Sequence, residues 1–400
     1  MTVRNCASIV VAGVARTPFG RFGGELREMS LPDLGATAVV GALRRSGLSA
    51  NDVDELAFGV NLPGSDRSIA RQVQLRSGIP EDRVAYTVDR ACCSSLAAVT
   101  MTARAIQLGE ATVAVAGGAE NLSRIPYFLE DLRWGKRLGN ITMTDQLLIS
   151  CPHTGVPRAV QAGEEAATFA IGREEQDEWA LRSQLRFAAA QSAGKFADEI
   201  VAVKLTSAIP AGVLNVDESP RPATTLASLS ELPTVYGSPT VTAGNAPGLS
   251  TGGTALVLTT DEHAKSVGAP RLAKILATSQ VSGAPERLAS IPATAATTVL
   301  AKAEVDLADV ALIEINEAFA AVPLVTTLLL AHGTGRTVDQ IRDITNVNGG
   351  SIAVGHPTGA TGVRLIMTIV GELHRRGGGI GLVTMCGGIG EGAAILLQVS

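Results

Sequence analysis

The sequence lacks the features that mark several large classes of protein. Only 18% of its residues are charged, the formal net charge is −5, and no run of lysine and arginine is long enough to follow a phosphate backbone, so we expect no nucleic-acid partner. No apolar run approaches the length that spans a bilayer, and the one near the N-terminus is too short for a signal peptide. We therefore expect no membrane insertion and a cytoplasmic location.

Cysteine is also scarce, and its spacing excludes more. The five cysteines are an odd number without a CxxC pair, which disfavours a disulfide framework and a zinc site. No GxxxxGK[ST], no GxGxxG with a suitably placed acidic residue and no GxSxG occurs. Nucleotide hydrolysis, dinucleotide binding and serine hydrolase chemistry therefore lose support, and we expect no metal and no resident cofactor.

The chain does contain a β/α pattern that occurs twice. The apolar fraction of 46% is sufficient for large buried cores, and the first copy begins with the strand pattern "SIVVAGVA" and the helix pattern "SLPDLGATAVVGALRRSG". A similar order of strands and helices returns from about residue 271. Strands that alternate with helices predict largely parallel, buried sheets, and the repeat predicts two such layers related by a pseudo-twofold axis.

The middle of the chain interrupts this pattern and indicates an insertion. Prolines, glycines and polar turns surround one long polar helix pattern, "EEQDEWALRSQLRFAAAQSAGKF". Inserted loops over an α/β scaffold usually cover a ligand. We therefore predict an N-terminal half of residues 1–120 and 248–270, a loop domain of residues 121–247 that covers the ligand site, and a C-terminal half of residues 271–400.

Three residues lie where the repeat brings reactive groups together. Cys92 precedes the central helix of the first half, His356 lies in the matching loop of the second half, and Cys386 follows the last core strand. A helix N-terminus and a nearby imidazole lower the pKa of a thiol, so Cys92 is a candidate nucleophile, with Cys386 as a proton donor and acceptor. Taken singly, each residue is more often a buried or structural group.

Taken together, these segments resemble the thiolase family over essentially the whole chain. Seven motifs carry the resemblance: "RTPFGRFGG" (16–24), "RACCSSL" (90–96), "GGAENLS" (117–123), "VTAGNAPGLSTGG" (241–253), "NEAFA" (316–320), "NGGSIAVGHPTGATG" (348–362) and "CGGIGEG" (386–392). The resemblance implies the five-layered α-β-α-β-α thiolase fold, a homodimer or homotetramer, and acyl-CoA and CoA as substrates without a further cofactor.

The resemblance also implies a role for each matching residue. Cys92 is similar to the nucleophile that takes the acyl group, His356 to the residue that activates it, and Cys386 to the acid/base that moves a proton on the methyl group of acetyl-CoA. Asn316 is similar to the residue that orders a water, which with His356 forms an oxyanion hole for the enolate. The backbone N–H groups of Cys92 and Gly388 would form a second one.

Further matching positions suggest contacts with CoA. Those expected near the nucleotide and along the pantetheine are Arg221, Ser228, Tyr236, Ala246, Leu249 and Phe319. For Arg221, a solvated surface charge is an equal alternative, and Tyr236 is suggested as a residue that stacks near the adenine. The stretch 131–140 carries basic residues beside Trp134; a CoA phosphate site, a subunit interface and a solvated loop are all open for it.

Three departures from the family pattern affect substrate binding. Cys93 stands where Gly or Ser is usual, and Pro247 replaces a Ser that commonly binds the pantetheine, removing a hydroxyl and an N–H. Where short-chain enzymes carry a His-Met pair beside the acyl pocket, this chain has Pro157 and Arg158. Selectivity for acetoacetyl-CoA is therefore not expected, and our hypothesis is a 3-ketoacyl-CoA thiolase with an open range of chain lengths.

Two other functions remain as alternatives. A ketosynthase shares the fold and the nucleophilic cysteine, but Cys386 argues against it because such enzymes lack the second cysteine. A thiolase-like lipid-binding protein without turnover is expected to lose one of Cys92, Asn316, His356 or Cys386, and all four are present. The sequence leaves open the direction of the reaction, dimer against tetramer, and the acyl chain length.

Overall fold

The structure is a computed structural model, and it describes residues 7–148, 150–205 and 212–400. Cys6 lies outside these ranges. The strands are Ile9–Arg16 (β1), Gly20–Arg21 (β2), Glu55–Gly59 (β3), Val84–Val88 (β4), Val113–Asn121 (β5), Tyr127–Phe128 (β6), Thr144–Asp145 (β7), Val203–Lys204 (β8), Val213–Leu214 (β9), Ser250–Thr260 (β10), Ala273–Ser282 (β11), Val310–Ile315 (β12), Gly379–Gly387 (β13) and Glu391–Val399 (β14).

The helices occupy the predicted positions between these strands. They are Leu31–Ser46 (α1), Ile69–Arg76 (α2), Ser94–Leu108 (α3), Arg158–Thr168 (α4), Arg173–Ser192 (α5), Leu226–Ser230 (α6), Asp261–Val267 (α7), Ile291–Ala303 (α8), Ala321–Ala331 (α9), Val338–Asp343 (α10), Ser351–Val354 (α11) and Thr361–Arg375 (α12). Helix α1 shows why local sequence suffices here: the Ser30 hydroxyl accepts the N–H of Asp33, and Gly47 ends the helix in the left-handed region.

The sheet order confirms the repeat that the sequence predicts. In the N-terminal half the strands run in the order β4-β3-β5-β10-β1, and in the C-terminal half β12-β13-β14-β11. β3 pairs in parallel with β4 and β5, and β12 pairs in parallel with β13, while the other neighbours in each half are antiparallel. The prediction of largely parallel sheets is therefore wrong, because neighbours such as β13 and β14 are joined by a short turn that reverses the chain. Beside β12, Thr345 adds a parallel bridge to Ile313.

Five layers follow from how the helices cover the two half-sheets. Helices α1 and α2 pack on the outer face of the N-terminal half in one apolar core, and α8 and α9 pack on the outer face of the C-terminal half in another. Helices α3 and α12 lie between the half-sheets, where Leu96 and Val363 belong to one core with residues of both. The two half-sheets are also joined at one edge, because β1 pairs with β11 over three residues.

The region between β5 and β10 is attached to the scaffold by buried polar contacts. The guanidinium of Arg16, in the "RTPFG" segment, is fully buried and pairs with Asp217 at 2.7 Å and Glu199 at 2.9 Å. The indole of Trp179 and the hydroxyl of Ser183, both on α5, donate to the buried carboxylate of Glu317 at 3.0 and 2.7 Å. An isolated buried charge is costly, so these pairings fix where the inserted chain lies.

Candidate active site

Cys92 lies in a tight turn between β4 and α3. Ala91, the residue before it, has φ of 49°, a left-handed conformation that costs a non-glycine residue free energy and is commonly retained at functional sites. The N–H of Ala91 donates to the carboxylate of Asp89 at 2.9 Å, and Ser94 closes the turn by donating to the carbonyl of Ala91 at 2.6 Å. The turn therefore holds a half-buried Cys92 just ahead of the helix.

Cys93 faces the opposite way, into the core. Its side chain is fully buried in the central layer, and its thiol lies 3.7 Å from the carbonyl oxygen of Met385. Burial raises the pKa of Cys93 well above its ordinary value, and the negative charges that Cys386 and Cys92 carry when ionised add to the rise. Cys93 is therefore a packing residue beside the reactive loop of the C-terminal half.

His356 is held in one tautomer by its neighbours. The hydroxyl of Thr361 donates to the carbonyl of Pro357 at 3.0 Å, so its oxygen accepts the Nδ1–H of His356 at 2.7 Å. The backbone N–H of His356 donates to Ser250 at 3.0 Å. Nε2 is consequently left without a proton, and it is free to act as a base.

The amide of Asn316 meets this Nε2 at 3.3 Å, and its own orientation is also fixed. Arg364 donates to the hydroxyl oxygen of Ser351 at 3.2 Å, and that hydroxyl donates to Oδ1 of Asn316 at 2.7 Å. Because Oδ1 is occupied in this way, the NH₂ group of Asn316 points at His356. The chain of hydrogen bonds from Arg364 to Pro357 thus runs in one direction and sets both the imidazole and the amide.

Glu120 anchors the loop that carries His356. This carboxylate at the end of β5 is fully buried and accepts hydrogen bonds from Asn61 and Leu62 N–H at 3.1 and 2.9 Å, and from the Thr358 hydroxyl and Gly359 N–H at 2.6 and 2.9 Å. Burial raises the pKa of Glu120 to about 7, against these hydrogen bonds, which favour its charged form. The N-terminal half therefore holds the His356 loop of the C-terminal half in place through these hydrogen bonds.

Glycine is required where these two segments meet. A Cβ placed on Gly118 would lie 1.9 Å from the carbonyl oxygen of Gly359, a distance that no side chain tolerates. The start of α12 also touches the start of α3, since the N–H of Val363 donates to the hydroxyl of Ser95 at 3.3 Å. The loops that carry Cys92 and His356 are therefore brought to the same side of the central layer, as the repeat predicts.

Cys386 ends β13 beside the Cys92 turn. Its thiol is fully buried, and it lies close enough to Cys92 that the charge of either thiolate would disfavour ionisation of the other. A Cβ placed on Gly388 would lie 3.5 Å from Ala91 and 2.9 Å from the guanidinium of Arg158. The acid/base candidate, the nucleophile candidate and one arginine thus share a small volume.

The protonation states differ from what the sequence predicts. Burial raises the pKa of Cys92 to about 12, and the positive charge of Arg158 offsets only part of that rise. Burial lowers the pKa of His356 to about 3, and the charge of Arg364 lowers it further. The expectation of a lowered thiol pKa is therefore wrong for the resting state, which holds a neutral thiol and a neutral imidazole, because the desolvation of Cys92 outweighs the positive charge of Arg158.

The proposed CoA residues fall into two groups. The first group consists of Ala246, Phe319 and Leu249. The N–H of Ala320 donates to the carbonyl of Asn245 at 2.9 Å, and the partly buried side chains of the adjacent residues Ala246 and Phe319 pack on the edge of the C-terminal core. The exposed Leu249 precedes Ser250, which binds the His356 loop. These residues therefore lie on segments that contact the C-terminal core or the His356 loop.

The second group lies farther out, on the inserted region. Arg221 is exposed and its backbone N–H donates to Gln184 of α5, while Ser228 caps the short helix α6 with Thr225. Tyr236 occupies the tip of a turn with its side chain 64% exposed. These three residues therefore flank the first group without contributing to its hydrogen-bond network.

Sequence reasoning missed the residues that hold the reactive groups in place. Thr361, Ser351, Arg364 and Glu120 are all buried and polar, yet none was singled out. One signal was present, because Arg364 interrupts the apolar face of "GVRLIMTIVGEL", and a buried arginine demands a partner, here Glu314 at 3.2 Å. The other three are small or acidic residues at the ends of elements, and the partners of Glu120 and Ser351, Thr358 and Asn316, are distant in sequence.

Two family models cover nearly the whole chain. One, described as the N-terminal domain of thiolase, matches residues 9–262, and the other, the C-terminal domain of thiolase, matches residues 269–399. The chain belongs to the thiolase family. The assignment made from the sequence is thereby confirmed, and with it the assignment of this chain as an acyltransferase.

Relatives and solved structures agree with this thiolase assignment. The chain is 35% identical to an acetyl-CoA acetyltransferase of Syntrophomonas wolfei and 37% identical to the mitochondrial 3-ketoacyl-CoA thiolase of Homo sapiens, with 98% of each chain covered in both cases. The crystal structure of the human enzyme in complex with CoA matches with a TM-score of 0.91 at 36% identity, covering 98% of both chains. The thiolase fold predicted from the sequence is confirmed.

Within residues 7–148, 150–205 and 212–400, no helix is both long enough and apolar enough to cross a bilayer. In the same ranges, no group of three or more His, Cys, Asp or Glu side chains is arranged to hold a metal ion.

Proposed function

We propose that this thiolase cleaves 3-ketoacyl-CoA with CoA to give acetyl-CoA and a shortened acyl-CoA, and catalyses the reverse condensation, through an acyl group on Cys92. The proposal is supported by the nearness of the Cys386 thiol to Cys92 and by the contact between the start of α12, which follows the His356 loop, and the start of α3, which follows Cys92. A nucleophile, a base and a separate acid are what cleavage of a carbon–carbon bond next to a carbonyl requires.

In the first step, His356 takes the proton of Cys92 as the sulfur attacks the ketone carbon. A neutral thiol with a raised pKa is a poor nucleophile by itself, so transfer of its proton to Nε2 has to accompany the attack. The proton then makes Nε2 a donor. Together with a water ordered by Asn316, it would bind the thioester oxygen that becomes negative when the bond breaks, while the N–H groups of Cys92 and Gly388 would bind the ketone oxygen.

In the second step, the carbon–carbon bond breaks and the electron pair leaves on the acetyl-CoA enolate. The Cys386 thiol gives its proton to the enolate carbon, which becomes the methyl group of acetyl-CoA. The Cys386 thiolate then takes the proton of the incoming CoA thiol, whose sulfur attacks the acyl group on Cys92. Release of the shortened acyl-CoA returns the proton from His356 to Cys92, so both thiols end as they began.

We propose in addition that CoA follows the line of candidate residues described above. Ala246, Leu249 and Phe319 would pack along the pantetheine, and Arg221 and Ser228 would lie nearer the nucleotide, with Tyr236 available to stack on the adenine. In this arrangement residues 121–247 form a loop domain over CoA, between an N-terminal half of 1–120 and 248–270 and a C-terminal half of 271–400.

Exposed surfaces support a homodimer or homotetramer. Strand β4 is an edge of the sheet, with Val84 and Tyr86 49% and 43% exposed, and Trp134 in the loop after β6 is 90% exposed. Open strand edges and exposed large apolar side chains are commonly covered by a second copy of a chain. The free thiols of the four described cysteines support a reducing compartment, and we infer a cytoplasmic location with a role in fatty acid β-oxidation.

The test is thiolysis across a panel of 3-ketoacyl-CoA chain lengths, with intact-protein mass measured during turnover. The wild type should cleave substrates longer than acetoacetyl-CoA and carry an acyl adduct on Cys92 alone. Cys92→Ala should carry no adduct and lose activity by several orders of magnitude. Inactivity of the wild type on every substrate would favour a binding protein, and a strong preference for acetoacetyl-CoA would contradict the open chain-length range.

A further inference from the structure

Arg158 carries a positive charge into the reactive centre without an acidic partner. It is the first residue of α4 and is half-buried, and its guanidinium lies against Gly388, where an added Cβ would be 2.9 Å from Nη2. Its one side-chain hydrogen bond among the described residues goes to the neutral amide oxygen of Gln161 at 3.0 Å. A partly desolvated charge without a counter-ion is unfavourable, so an anion is expected to complete this site.

The acidic groups of the neighbourhood are already occupied. Glu165 follows Arg158 on the same helix, but its carboxylate accepts the backbone N–H groups of Leu288, Ala289 and Ser290. The carboxylate of Glu120 likewise accepts hydrogen bonds from three backbone N–H groups and one hydroxyl. In the described part of the chain, the guanidinium of Arg158 therefore forms no ion pair with a carboxylate of this protein.

The position of Arg158 tells which part of the substrate would supply the anion. Its charge reaches both reactive thiols, where it opposes the increase in pKa that burial causes at Cys92 and Cys386. The phosphates of CoA are separated from the thioester by the whole pantetheine arm, so they do not lie at the reacting sulfur. The negative charges that form on the reacting sulfur and oxygen atoms are transient, so a lasting partner for Arg158 has to come from the acyl group.

We infer that Arg158 binds a carboxylate at the end of the acyl chain, so that the preferred substrates are 3-ketoacyl-CoA thioesters of dicarboxylic acids. This inference rests on the proposed thiolase function and names its substrate class. A guanidinium matches a carboxylate with two parallel N–H···O bonds, a geometry that lysine or a neutral side chain does not provide. The carboxylate remains on the acyl group held by Cys92 after acetyl-CoA leaves.

The kinetic test uses two substrates that differ only in the carboxylate. These are the CoA thioester of 3-ketoadipic acid, with six carbons and a terminal carboxylate, and 3-ketohexanoyl-CoA. A charge-assisted pair favours the acidic substrate by roughly tenfold or more in kcat/KM. Arg158→Gln should remove that preference, Arg158→Lys should retain part of it, and Arg44→Gln, which changes an exposed arginine on the outer helix α1, should retain all of it.

Two results would overturn the inference while leaving the thiolase function intact. One is a wild type that cleaves 3-ketohexanoyl-CoA as well as the acidic substrate or better. The other is an Arg158→Gln variant that loses both activities by the same factor, which would assign the charge to the chemistry that both substrates share. Thermal unfolding of each variant shows whether a loss reflects misfolding.

A binding measurement tests the same contact without turnover. Calorimetry with Cys92→Ala should show adipyl-CoA bound roughly tenfold more tightly than hexanoyl-CoA, and the double variant with Arg158→Gln should bind both equally. Equal affinity in Cys92→Ala would refute the inference. Failure of the wild type to cleave any 3-ketoacyl-CoA would refute the proposed function instead, so the two failures are distinguishable.

Discussion

The two halves of the chain place different residues at equivalent positions of the same β/α unit. Glu120 is the penultimate residue of β5 in the N-terminal half, and Cys386 is the penultimate residue of β13, its counterpart in the sheet order. The loops ahead of the paired central helices α3 and α12 carry Cys92 and His356. The same fold positions thus carry a carboxylate in one half and a thiol in the other.

The equivalent residues differ in role: those of the N-terminal half hold the opposite half in place, and those of the C-terminal half belong to the candidate reactive centre. The side chains of Glu120 and the nearby Asn61 form hydrogen bonds with Thr358 and Gly359 of the opposite half. Asn316, which follows β12 as Asn61 follows β3, directs its amide to His356 instead. The N-terminal half therefore carries the candidate nucleophile and the anchor, whereas the C-terminal half carries the candidate base and the second thiol.

Removing the thiol of Cys386 should have the largest effect on catalysis. Cys386→Ala should slow exchange of the acetyl-CoA methyl protons with D₂O by about 10²- to 10⁴-fold, because no acid/base remains at the enolate carbon, while an acyl adduct still forms on Cys92. Proton NMR and intact-protein mass provide the two readouts. Cys93→Ala removes a neighbouring buried thiol and should retain exchange; unchanged exchange in Cys386→Ala would contradict the assignment.

Removing the hydrogen bond that orients the His356 imidazole should have an intermediate effect on catalysis. Thr361→Val removes the oxygen that accepts the Nδ1–H of His356, so the buried imidazole loses its fixed tautomer and kcat should fall about 10- to 100-fold with little change in KM. Thr361→Ser keeps the hydroxyl and should restore most of kcat. A serine variant as slow as the valine variant would show that packing, not the hydrogen bond, is what Thr361 supplies.

Weakening the anchor should produce the smallest effect, visible in how stability depends on pH. The pKa of Glu120 is raised from 4.5 to about 7 in the folded chain. The folded state therefore binds more protons than the unfolded state between these pH values, and the contribution of Glu120 to stability is full below pH 4.5 and is lost as pH rises through about 7.

Glu120→Gln removes this titration. The free energy of unfolding should consequently fall less between pH 5 and pH 8 in the variant than in the wild type, with a difference in slope of at most about 1.4 kcal/mol per pH unit. Urea unfolding at the two pH values measures it, and Glu262→Gln, at an exposed carboxylate, should follow the wild type. If the free energy of unfolding changed with pH equally in the wild type and in Glu120→Gln, Glu120 would not be the source of the pH dependence.

Much of the fold could be predicted from the sequence, which also supplied the candidate reactive residues. Hydrophobic periodicity and caps such as Ser30 and Gly47 depend on neighbours within a few residues, so the helices and the repeat were accessible. The reactive residues were accessible because seven motifs occur in order. The charge states were not: the neutral resting states of Cys92 and His356 come from burial by segments distant in sequence.

What the sequence determined by itself is therefore the pattern of elements, the repeat and the chemical types at the reactive centre. The tertiary structure alone decided that Cys93 packs in the core, that Glu120 anchors the opposite half, and that Arg158 lies unpaired against Gly388. The physical reason is the range of the forces involved. Helix propensity and capping act along the chain, whereas desolvation and charge pairing depend on which distant segments the fold brings into contact.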